Sequence, residues 1–365
     1  MKFKWAVLLI LVLLLCACSK SKNTVDNLLN EADEAYDQAD YEKALSIYDQ
    51  VIEKESRIPT AYNNRGLTYY QLGRIEEAIA DFKTAIDLED TKAEYHYNLG
   101  RACYEAGQFE DAVKACSKAI ERDSRVASYY LSRALSYQEL EQNDRAVADY
   151  TQAVALDEND AAIYNNRGTC YFKMGQYEKA IQDYNTALEK EPEDTTLIYR
   201  NRAEAYRAMK DYESAAQDYL QILDKVEDQT VIEENLATMY MEMEEYKEAE
   251  TWYKALLEEA PDNTFYARQM ADICYHFERF EEAITYYSKC LPTEGDAVGF
   301  GNRGDCYWKT GDPDKAIEDL DKAIELDPEY GWAYYVRGSI YMEMEEYAKA
   351  EEDLANAQKY TEEQQ

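Results

Sequence analysis

Hydrophobic and small residues recur along most of the chain three or four positions apart, which is the spacing of one face of an α-helix. The stretch from residue 161 shows two such groups, Tyr164, Gly168 and Tyr171, then Ala180, Tyr184 and Ala187. Gly175 separates the groups and suits the left-handed conformation that ends a helix, and Pro192 ends the second group. The pattern predicts two short helices joined by a turn, with too little apolar surface for a core of their own.

This helix–turn–helix pattern repeats every 34 residues. Residues 61–66 read AYNNRG and residues 163–168 read IYNNRG, an offset of three times 34. Aligning the small residues gives repeats 1 to 10, with Thr195 as one inserted residue. In order, the repeats cover 25–58, 59–92, 93–126, 127–160, 161–194, 196–229, 230–263, 264–296, 297–330 and 331–364. The pattern predicts an all-α chain in which neighbouring repeats supply each other's core.

Two repeat positions are small in all ten repeats. Position 8 is glycine or alanine, and position 20 is always alanine, at Ala44, Ala78, Ala112, Ala146, Ala180, Ala215, Ala249, Ala283, Ala316 and Ala350. Such residues predict a close crossing of the two helices of a repeat. With the frequent tyrosine at position 11, the pattern resembles that of the tetratricopeptide-repeat (TPR) family. The resemblance implies a right-handed α-solenoid superhelix of about ten TPR units, whose first helices line a concave groove, and protein binding.

Arginine at position 7 always occurs together with aspartate at position 23. The six combinations are Arg65–Asp81, Arg133–Asp149, Arg167–Asp183, Arg202–Asp218, Arg303–Asp319 and Arg337–Asp353, and the four repeats without the arginine also lack the aspartate. Opposite charges that occur together predict ion pairs between the two helices of one repeat. The alternative is a set of six basic sites for acidic ligands.

The resemblance places position 12 on the groove, where aromatic side chains would suit a peptide or an amphipathic helix. The aromatic residues at this position are Tyr36, Tyr70, Tyr104, Phe172, Tyr275 and Trp308. Position 6 is often asparagine, whose amide can donate to and accept from a peptide backbone. These residues are Asn30, Asn64, Asn98, Asn166, Asn201, Asn235 and Asn302. Two alternatives stay open: the rings only pack between helices, and the amides only satisfy local backbone groups.

The net charge of the chain limits the classes of partner that it is expected to bind. The chain carries 75 Asp and Glu against 39 Lys and Arg, a formal net charge of −36. Nucleic acid is therefore not an expected partner, because binding phosphates requires a basic surface. Position 2, where some TPR proteins hold Lys or Arg for a C-terminal carboxylate, has neither in any repeat. The acidic balance fits either a basic partner or a solvated surface.

The residue pattern does not indicate a catalytic site, a cofactor site or a metal site. The two histidines have no catalytic neighbours in the sequence, no glycine-rich phosphate loop occurs, and no CxxC spacing suggests zinc. We therefore expect no enzymatic activity, no cofactor and no metal site. Cys103 and Cys116 fall within one repeat, as do Cys274 and Cys290. Each couple is either a disulfide or two buried thiols.

The first residues predict export. Lys2 and Lys4 precede an apolar run over residues 5–15, which is the arrangement of a signal peptide and is short for a membrane span. The sequence LCAC over 15–18 resembles the bacterial lipobox, which implies a signal peptide over 1–17, lipidation of Cys18 and a tether over 18–24. A plain signal peptide or an uncleaved anchor is the alternative. Ser19 implies the outer membrane, if the organism has one.

These features together predict a lipid-anchored TPR scaffold on the extracytoplasmic face of a bacterial membrane, with a protein or peptide partner. The alternative is a carrier lipoprotein that holds a peptide or a glycan in the groove. The sequence does not identify the partner.

Overall fold

The computed structural model describes residues 24–294 and 296–362, which form α-helices and one short 3-10 helix, without a β-strand in those ranges. They fall into two compact units, divided after Ala205. The first unit contains α1 (24–37), α2 (Tyr41–Lys54), α3 (Pro59–Gln71), α4 (Ile75–Leu88), α5 (Ala93–Glu105), α6 (Phe109–Arg122), α7 (Ala127–Glu139), α8 (Asn143–Leu156), α9 (Ala161–Lys173), α10 (Tyr177–Glu189) and most of α11 (Thr196–Ala208). The predicted signal peptide and Cys18 lie outside the described residues.

The second unit begins at Tyr206 in the last turn of α11. It contains α12 (Tyr212–Ile222), the 3-10 helix Leu223–Lys225, α13 (Thr230–Glu242), α14 (Tyr246–Glu259), α15 (Thr264–His276), α16 (Phe280–Glu294), α17 (Ala297–Lys309), α18 (Pro313–Leu326), α19 (Gly331–Glu343) and α20 (Tyr347–Glu362). From α3 onwards, odd-numbered helices start at position 1 of a repeat and even-numbered helices at position 17. We call them the A and B helices.

Within each compact unit the helices pack in chain order. In the first unit α3 packs on α4 and α5 on α6, and each B helix also packs on the next A helix, as α4 does on α5. Successive A helices touch as well, for instance α5 and α7, or α17 and α19 in the second unit. The core of each repeat is therefore completed by its neighbours.

One residue between the A and B helices of each repeat has a positive φ angle. Gly175 has φ of 72°, as its predicted role requires. The same repeat position elsewhere often holds a side chain, at Ala39, Glu141, Lys210, Glu244, Glu278 and Glu345, with φ between 57° and 63°. The helix–turn–helix geometry thus keeps the left-handed residue even where glycine is absent.

The predicted close crossing of the A and B helices is confirmed. All ten alanines at position 20 are completely buried. A Cβ atom added to Gly168 at position 8 would lie 3.2 Å from the carbonyl oxygen of Ala180 and 2.8 Å from Cε1 of Tyr184. Small side chains at both positions therefore let the backbones approach, and the Tyr184 ring covers the crossing in this repeat.

Five of the six predicted Arg–Asp pairs are confirmed within their repeats. In each, Nε and one terminal nitrogen of the guanidinium donate to the two carboxylate oxygens at 2.6–2.8 Å. The aspartates are Asp81, Asp149, Asp183, Asp319 and Asp353, all buried. The sixth pair, Arg202 with Asp218, remains a prediction because its residues belong to different compact units. The buried carboxylates occupy the guanidinium groups, which argues against sites for acidic ligands.

The other terminal nitrogen of each arginine contacts the preceding repeat, which the sequence analysis did not predict. Its acceptors all lie at position 25 of the preceding B helix, at 2.5–3.3 Å. They are Asp49, Ser117, Thr151, Asn185, Ser288 and Asp321. We call this three-helix arrangement the arginine staple. Where the next repeat lacks the arginine, position 25 is instead Lys83, Leu220 or Lys254.

Repeat 3 shows what replaces a missing staple. Leu99 and Ala115 take the places of the arginine and the aspartate, and Lys83 takes the place of the acceptor. All three line a cavity of about 320 Å³, together with His96 and Cys103. The space that a guanidinium group fills elsewhere is therefore partly open in this repeat.

Candidate partner-binding face

Two equivalent pockets in the first compact unit lie along the A helices, each about 150 Å³ in volume. One is lined by Asp33, Tyr36, Asp37, Tyr48, Asn64 and Leu67, and the other by Tyr70, Arg101, Tyr104, Glu105, Ser132 and Leu135. Both combine positions 9, 12 and 13 of one repeat with positions 6 and 9 of the next. We call the surface formed by positions 6, 9, 12 and 13 the A-helix face. It brings together the predicted residues Tyr36 with Asn64, and Tyr70 with Tyr104.

The position-12 rings are half-buried and pack against the start of the B helix in their own repeat. Four of them contact an aromatic ring at position 17, in the pairs Tyr36–Tyr41, Tyr104–Phe109, Phe172–Tyr177 and Tyr275–Phe280, with ring centroids 5.5–6.3 Å apart. The same rings keep an edge open to solvent. Both interpretations of these residues therefore find support: the rings pack between helices, and they also present a surface.

The polar tips of several position-12 rings point to an acidic residue in the following repeat. The hydroxyls of Tyr70 and Tyr104 donate to carboxylates at position 13 of the next repeat, both at 3.4 Å. In the second compact unit, Nε1 of Trp308 donates to Glu343 at 3.0 Å, also at position 13. Within each compact unit, a carboxylate at position 13 therefore accepts a hydrogen bond from a position-12 ring of the preceding repeat.

Tyr275 makes a shorter contact of a different kind. Its hydroxyl donates to Asp305 Oδ2 at 2.8 Å, at position 9 of the next repeat. Burial raises the pKa of Asp305 although this hydrogen bond opposes the shift. Burial and the same hydrogen bond raise the pKa of Tyr275 well above its ordinary range, so the phenol remains a donor. Tyr275 is thus held more firmly than the other tyrosines of the row.

Asn64 and Asn98, at position 6 of repeats 2 and 3, belong to a hydrogen-bond chain that crosses three repeats. Asn98 donates to Asn63 at 2.9 Å, Asn63 donates to Asn64 at 3.0 Å, and Asn64 donates to Asp33 at 3.0 Å. Tyr48 also donates to Asp33. Burial, followed by this hydrogen bond, raises the pKa of Tyr48 well above its ordinary range. These amides therefore hold neighbouring A helices together.

The remaining position-6 amides have separate partners. Asn201 donates to Asn165 at 3.0 Å, Asn302 donates to the Tyr287 hydroxyl at 3.2 Å, and Asn235 donates to its own helix. Asn166 is half-buried at the equivalent place. The structural interpretation thus gains support for most of these amides, and contact with a partner stays a prediction.

Asn63 and Asn165, the asparagines at position 5, were not predicted as structural residues. Both are buried, and each accepts from an asparagine of the next repeat. The sequence did carry a signal for them, because the motifs AYNNRG and IYNNRG each contain two adjacent asparagines. A buried amide needs its hydrogen bonds satisfied within the protein, so the second asparagine indicated an internal partner.

The cysteine side chains form no reactive site in the described residues. Cys103 and Cys116 are buried thiols, and Cys290 donates a hydrogen bond to the Tyr287 carbonyl at 3.5 Å. Burial raises the pKa of Cys116 to about 12 and that of Cys274 to about 11, which keeps both protonated at neutral pH. Across residues 24–294 and 296–362, no cluster of His, Cys, Asp and Glu could hold a metal ion. None of the helices in those ranges is long and apolar enough to span a membrane.

Sequence comparisons find the same repeat in many segments of the chain. Models described as tetratricopeptide repeat or TPR repeat match residues 29–92, 93–125, 135–175, 161–194, 234–265, 297–330 and 320–352. Hsp70-Hsp90 organizing protein of Triticum aestivum is 38% identical over 65 residues, which are 18% of this chain and 11% of that protein. Hsp70-Hsp90 organizing protein 3 of Arabidopsis thaliana is 37% identical over 65 residues, 18% of this chain and 12% of that protein.

Solved structures of similar proteins include MamA, which is 26% identical and has a TM-score of 0.43 over 44% of this chain and 94% of MamA. A tetratricopeptide repeat protein from Parabacteroides merdae is 20% identical, with a TM-score of 0.44 over 68% of this chain and 98% of its own. PilF of Pseudomonas aeruginosa is 15% identical, with a TM-score of 0.48 over 56% of this chain and 92% of PilF.

Proposed function

Because this chain belongs to the tetratricopeptide-repeat family, we propose that it is a lipid-anchored scaffold of the bacterial cell envelope that binds protein partners through its A-helix face. The scaffold has no enzymatic activity in this proposal. Its partners are proteins or peptides rather than nucleic acid, since the net charge is −36. The curated relatives are named for organizing two other proteins, which is a role of the same kind.

The observation that carries the proposal is the repetition of one pocket along the A helices. Each pocket of about 150 Å³ is smaller than a site for a drug-sized ligand, which holds roughly 300–1,000 Å³. Two small pockets of the same kind, with aromatic walls, suit separate side chains of a polypeptide better than one enclosed ligand. Aromatic anchors of this kind supply binding energy out of proportion to their number. The geometry therefore favours the scaffold over a glycan carrier.

The proposed membrane attachment rests on the sequence near the N-terminus. Leu15, Ala17 and Cys18 stand where a lipobox requires an aliphatic residue, a small residue and the lipidated cysteine. Two or more acyl chains on one residue give stable membrane anchoring, where one chain gives only marginal binding. In the proposal the mature chain starts at Cys18, faces the extracytoplasmic side, and lies in the outer membrane of an organism that has one.

The anchor and the A-helix face are tested separately. Cys18→Ala in cells that make lipoproteins is expected to leave the precursor unprocessed or to release the protein from the membrane fraction. Fractionation and processing identical to wild type would refute the anchor. For the face, Tyr70→Ala and Trp308→Ala are compared with Glu189→Ala, an exposed change on helix α10.

Partner capture from solubilised membranes is measured for the three variants and quantified against wild type. We expect the two aromatic variants to retain their helical content and melting temperature and to lose most of the captured partner, whereas Glu189→Ala retains it. The proposal fails for the A-helix face if both aromatic variants capture the partner as well as wild type does.

A further inference from the structure

Repeat 3 has a cavity at the place where most other repeats have an arginine staple. Position 23 is aspartate in the six repeats with arginine at position 7, and it is Ile47, Trp252 and Tyr286 in repeats 1, 7 and 8. Ile47 is buried, and Trp252 and Tyr286 pack half-buried on an apolar cluster. Repeat 3 has the small Ala115 at this position. The cavity of about 320 Å³ beside it has the size of a small-molecule site, roughly 300–1,000 Å³.

The cavity is bordered by three consecutive helices, of which α5 packs on both α4 and α6. Ile86 on α4, Leu99 on α5 and Ala115 on α6 give it apolar walls. His96 and Cys103 also line it, and both are buried. Nε2 of His96 donates to a backbone carbonyl oxygen at 3.0 Å, which fixes the ring. The inner part of the cavity is therefore mainly apolar.

Three lysines line the same cavity, Lys83 on α4 and Lys114 and Lys118 on α6. Nζ of Lys114 lies 2.8 Å from a carboxylate oxygen of Asp111. Nζ of Lys118 lies 2.8 Å from a carboxylate oxygen of Glu121. The side chains of both pairs are more than half exposed, and exposed ion pairs contribute little to stability. Both lysines can therefore exchange these carboxylates for another anion at little cost.

Lys83 makes no ion pair with any residue that the structure describes. Its positive charge still acts on the cavity, because burial raises the pKa of the Cys103 thiol and Lys83 opposes that shift. The exposed Asp87 lines the cavity as well, as does Asp111. The lining thus carries three lysines against two aspartates, an excess of positive charge in a chain whose net charge is −36.

The cavity reverses the polarity of the arginine staple. In the staple of repeat 4, the position-7 arginine donates to acceptors at position 23 of its own repeat and at position 25 of the preceding one. In repeat 3, position 7 is Leu99, position 23 is Ala115, and the preceding position 25 is the donor Lys83. A ligand that completes this arrangement must supply the acceptor that Ala115 lacks and an apolar surface for Leu99.

We propose that this cavity binds a small carboxylate with an apolar body, its carboxylate held by Lys83 and the two lysines of α6 and its body packed on Leu99 and Ile86. Lysine ammonium groups donate charge-assisted hydrogen bonds to a carboxylate, and their hydrocarbon stems cover apolar surface. The site uses positions 4, 7 and 11 of α5, whereas the A-helix face uses positions 6, 9, 12 and 13. The inference therefore goes beyond the proposed scaffold function and does not depend on it.

Octanoate serves as the probe. It is titrated into the full chain by calorimetry, and the methyl NMR signals of Leu99 and Ala115 locate the bound probe. Acetate lacks the apolar body and octylammonium reverses the charge. We expect both controls to bind more weakly than octanoate by about tenfold or more, because a hydrogen bond to a charged group contributes at least that factor. Equal binding of either control, or no binding of octanoate at millimolar concentration, would overturn the inference.

A pair of double variants tests the lysines. Lys83→Gln with Lys118→Gln removes two charges from the cavity, and Lys254→Gln with Lys322→Gln removes two charges at the same repeat positions elsewhere. We expect the first double variant to bind octanoate about tenfold more weakly and the second to bind it as wild type does. Unchanged affinity in the first variant, or an equal loss in the second, would overturn the inference.

A further variant fills the cavity. Ala115→Trp gives repeat 3 the combination of leucine and tryptophan that repeat 7 carries as Leu236 and Trp252. It should keep its helical content in circular dichroism and lose octanoate binding; if it unfolds, the lysine variants decide. Arg101 on the A-helix face is the competing site for an anion. Binding that Arg101→Gln abolishes and Ala115→Trp retains would place the anion there and overturn the inference.

Discussion

The arginine staple of repeat 5 allows the cost of one buried charge to be predicted. Arg167 donates from Nε and a terminal nitrogen to Asp183 at 2.7 Å each, and from its other terminal nitrogen to Thr151 at 3.3 Å. The side chains of Arg167 and Asp183 are only 16% and 6% exposed. In the Asp183→Ala variant, the Arg167 guanidinium would stay largely out of water and would keep only its hydrogen bond to the Thr151 hydroxyl.

Removing one partner of a buried ion pair costs about 3–5 kcal/mol. Because part of the Arg167 side chain still meets water, we expect a cost at or just below the lower end of this range, about 2–3 kcal/mol, for Asp183→Ala. Arg167 cannot relieve this cost by losing its proton, since a guanidinium group stays charged at all accessible pH. Arg167→Leu should cost at least as much, because Asp183 is the more deeply buried partner.

The double variant Arg167→Leu/Asp183→Ala reproduces the combination that repeat 3 carries naturally and leaves no charge behind. It should therefore be more stable than either single variant. Urea unfolding followed by circular dichroism gives the free energies, and hydrogen exchange in α9 and α10 locates the change, because repeat arrays open regionally. A coupling energy within error of zero, or a double variant as unstable as the sum of the two single ones, would refute the reasoning.

Three further results are expected. Ala180→Leu overpacks a closed helix crossing and should lower the free energy of unfolding by about 1–3 kcal/mol; unchanged urea unfolding would contradict that contact. In the repeat-3 cavity, Leu99→Arg alone should destabilise, and adding Ala115→Asp and Lys83→Ser should restore the melting temperature by completing a staple; a triple variant that melts as low as Leu99→Arg would contradict this. Burial raises the pKa of Cys116 from 9.0 to about 12, so its contribution to stability is present below pH 9 and is lost as the pH rises towards 12; Cys116→Ala should unfold with a shallower pH dependence over that range, and an identical dependence would contradict the assignment.

The contacts that could be predicted from the sequence are those made within one repeat. Ala180 and Gly168 recur at fixed positions of the same repeat, so their meeting at the crossing follows from the pattern alone. The Arg167–Asp183 pair was predictable for the same reason, because the two residues are present or absent together.

The contacts between repeats were harder to foresee. Position 25 holds Asp, Ser, Thr or Asn, so no single residue type draws attention to it, and only comparison with the next repeat shows that an acceptor precedes each arginine. Asn63 was overlooked because its partner, Asn98, lies 35 residues away. A pattern within the repeat cannot distinguish a buried amide from one that faces a groove.

The partner-binding residues were predicted only in part. The position of Tyr70 on an A helix followed from the repeat, but its hydrogen bond to Glu105 depends on how two repeats pack. At position 2, the change from polar residues in the first repeats to exposed apolar residues such as Val231 and Trp332 could be read from the sequence, but their exposure depends on the packing of the repeats.

The interruptions of the arginine staple give the second compact unit two kinds of joint between repeats. Arg303 and Arg337 make charged joints to the preceding repeats through Ser288 and Asp321, whereas Met270 is completely buried in an apolar cluster. On heating, the desolvation penalty of an ion pair falls, whereas the stabilisation from apolar burial reaches a plateau. We therefore expect heating to loosen the second compact unit first around Met270, while the charged joints of the last two repeats hold longer.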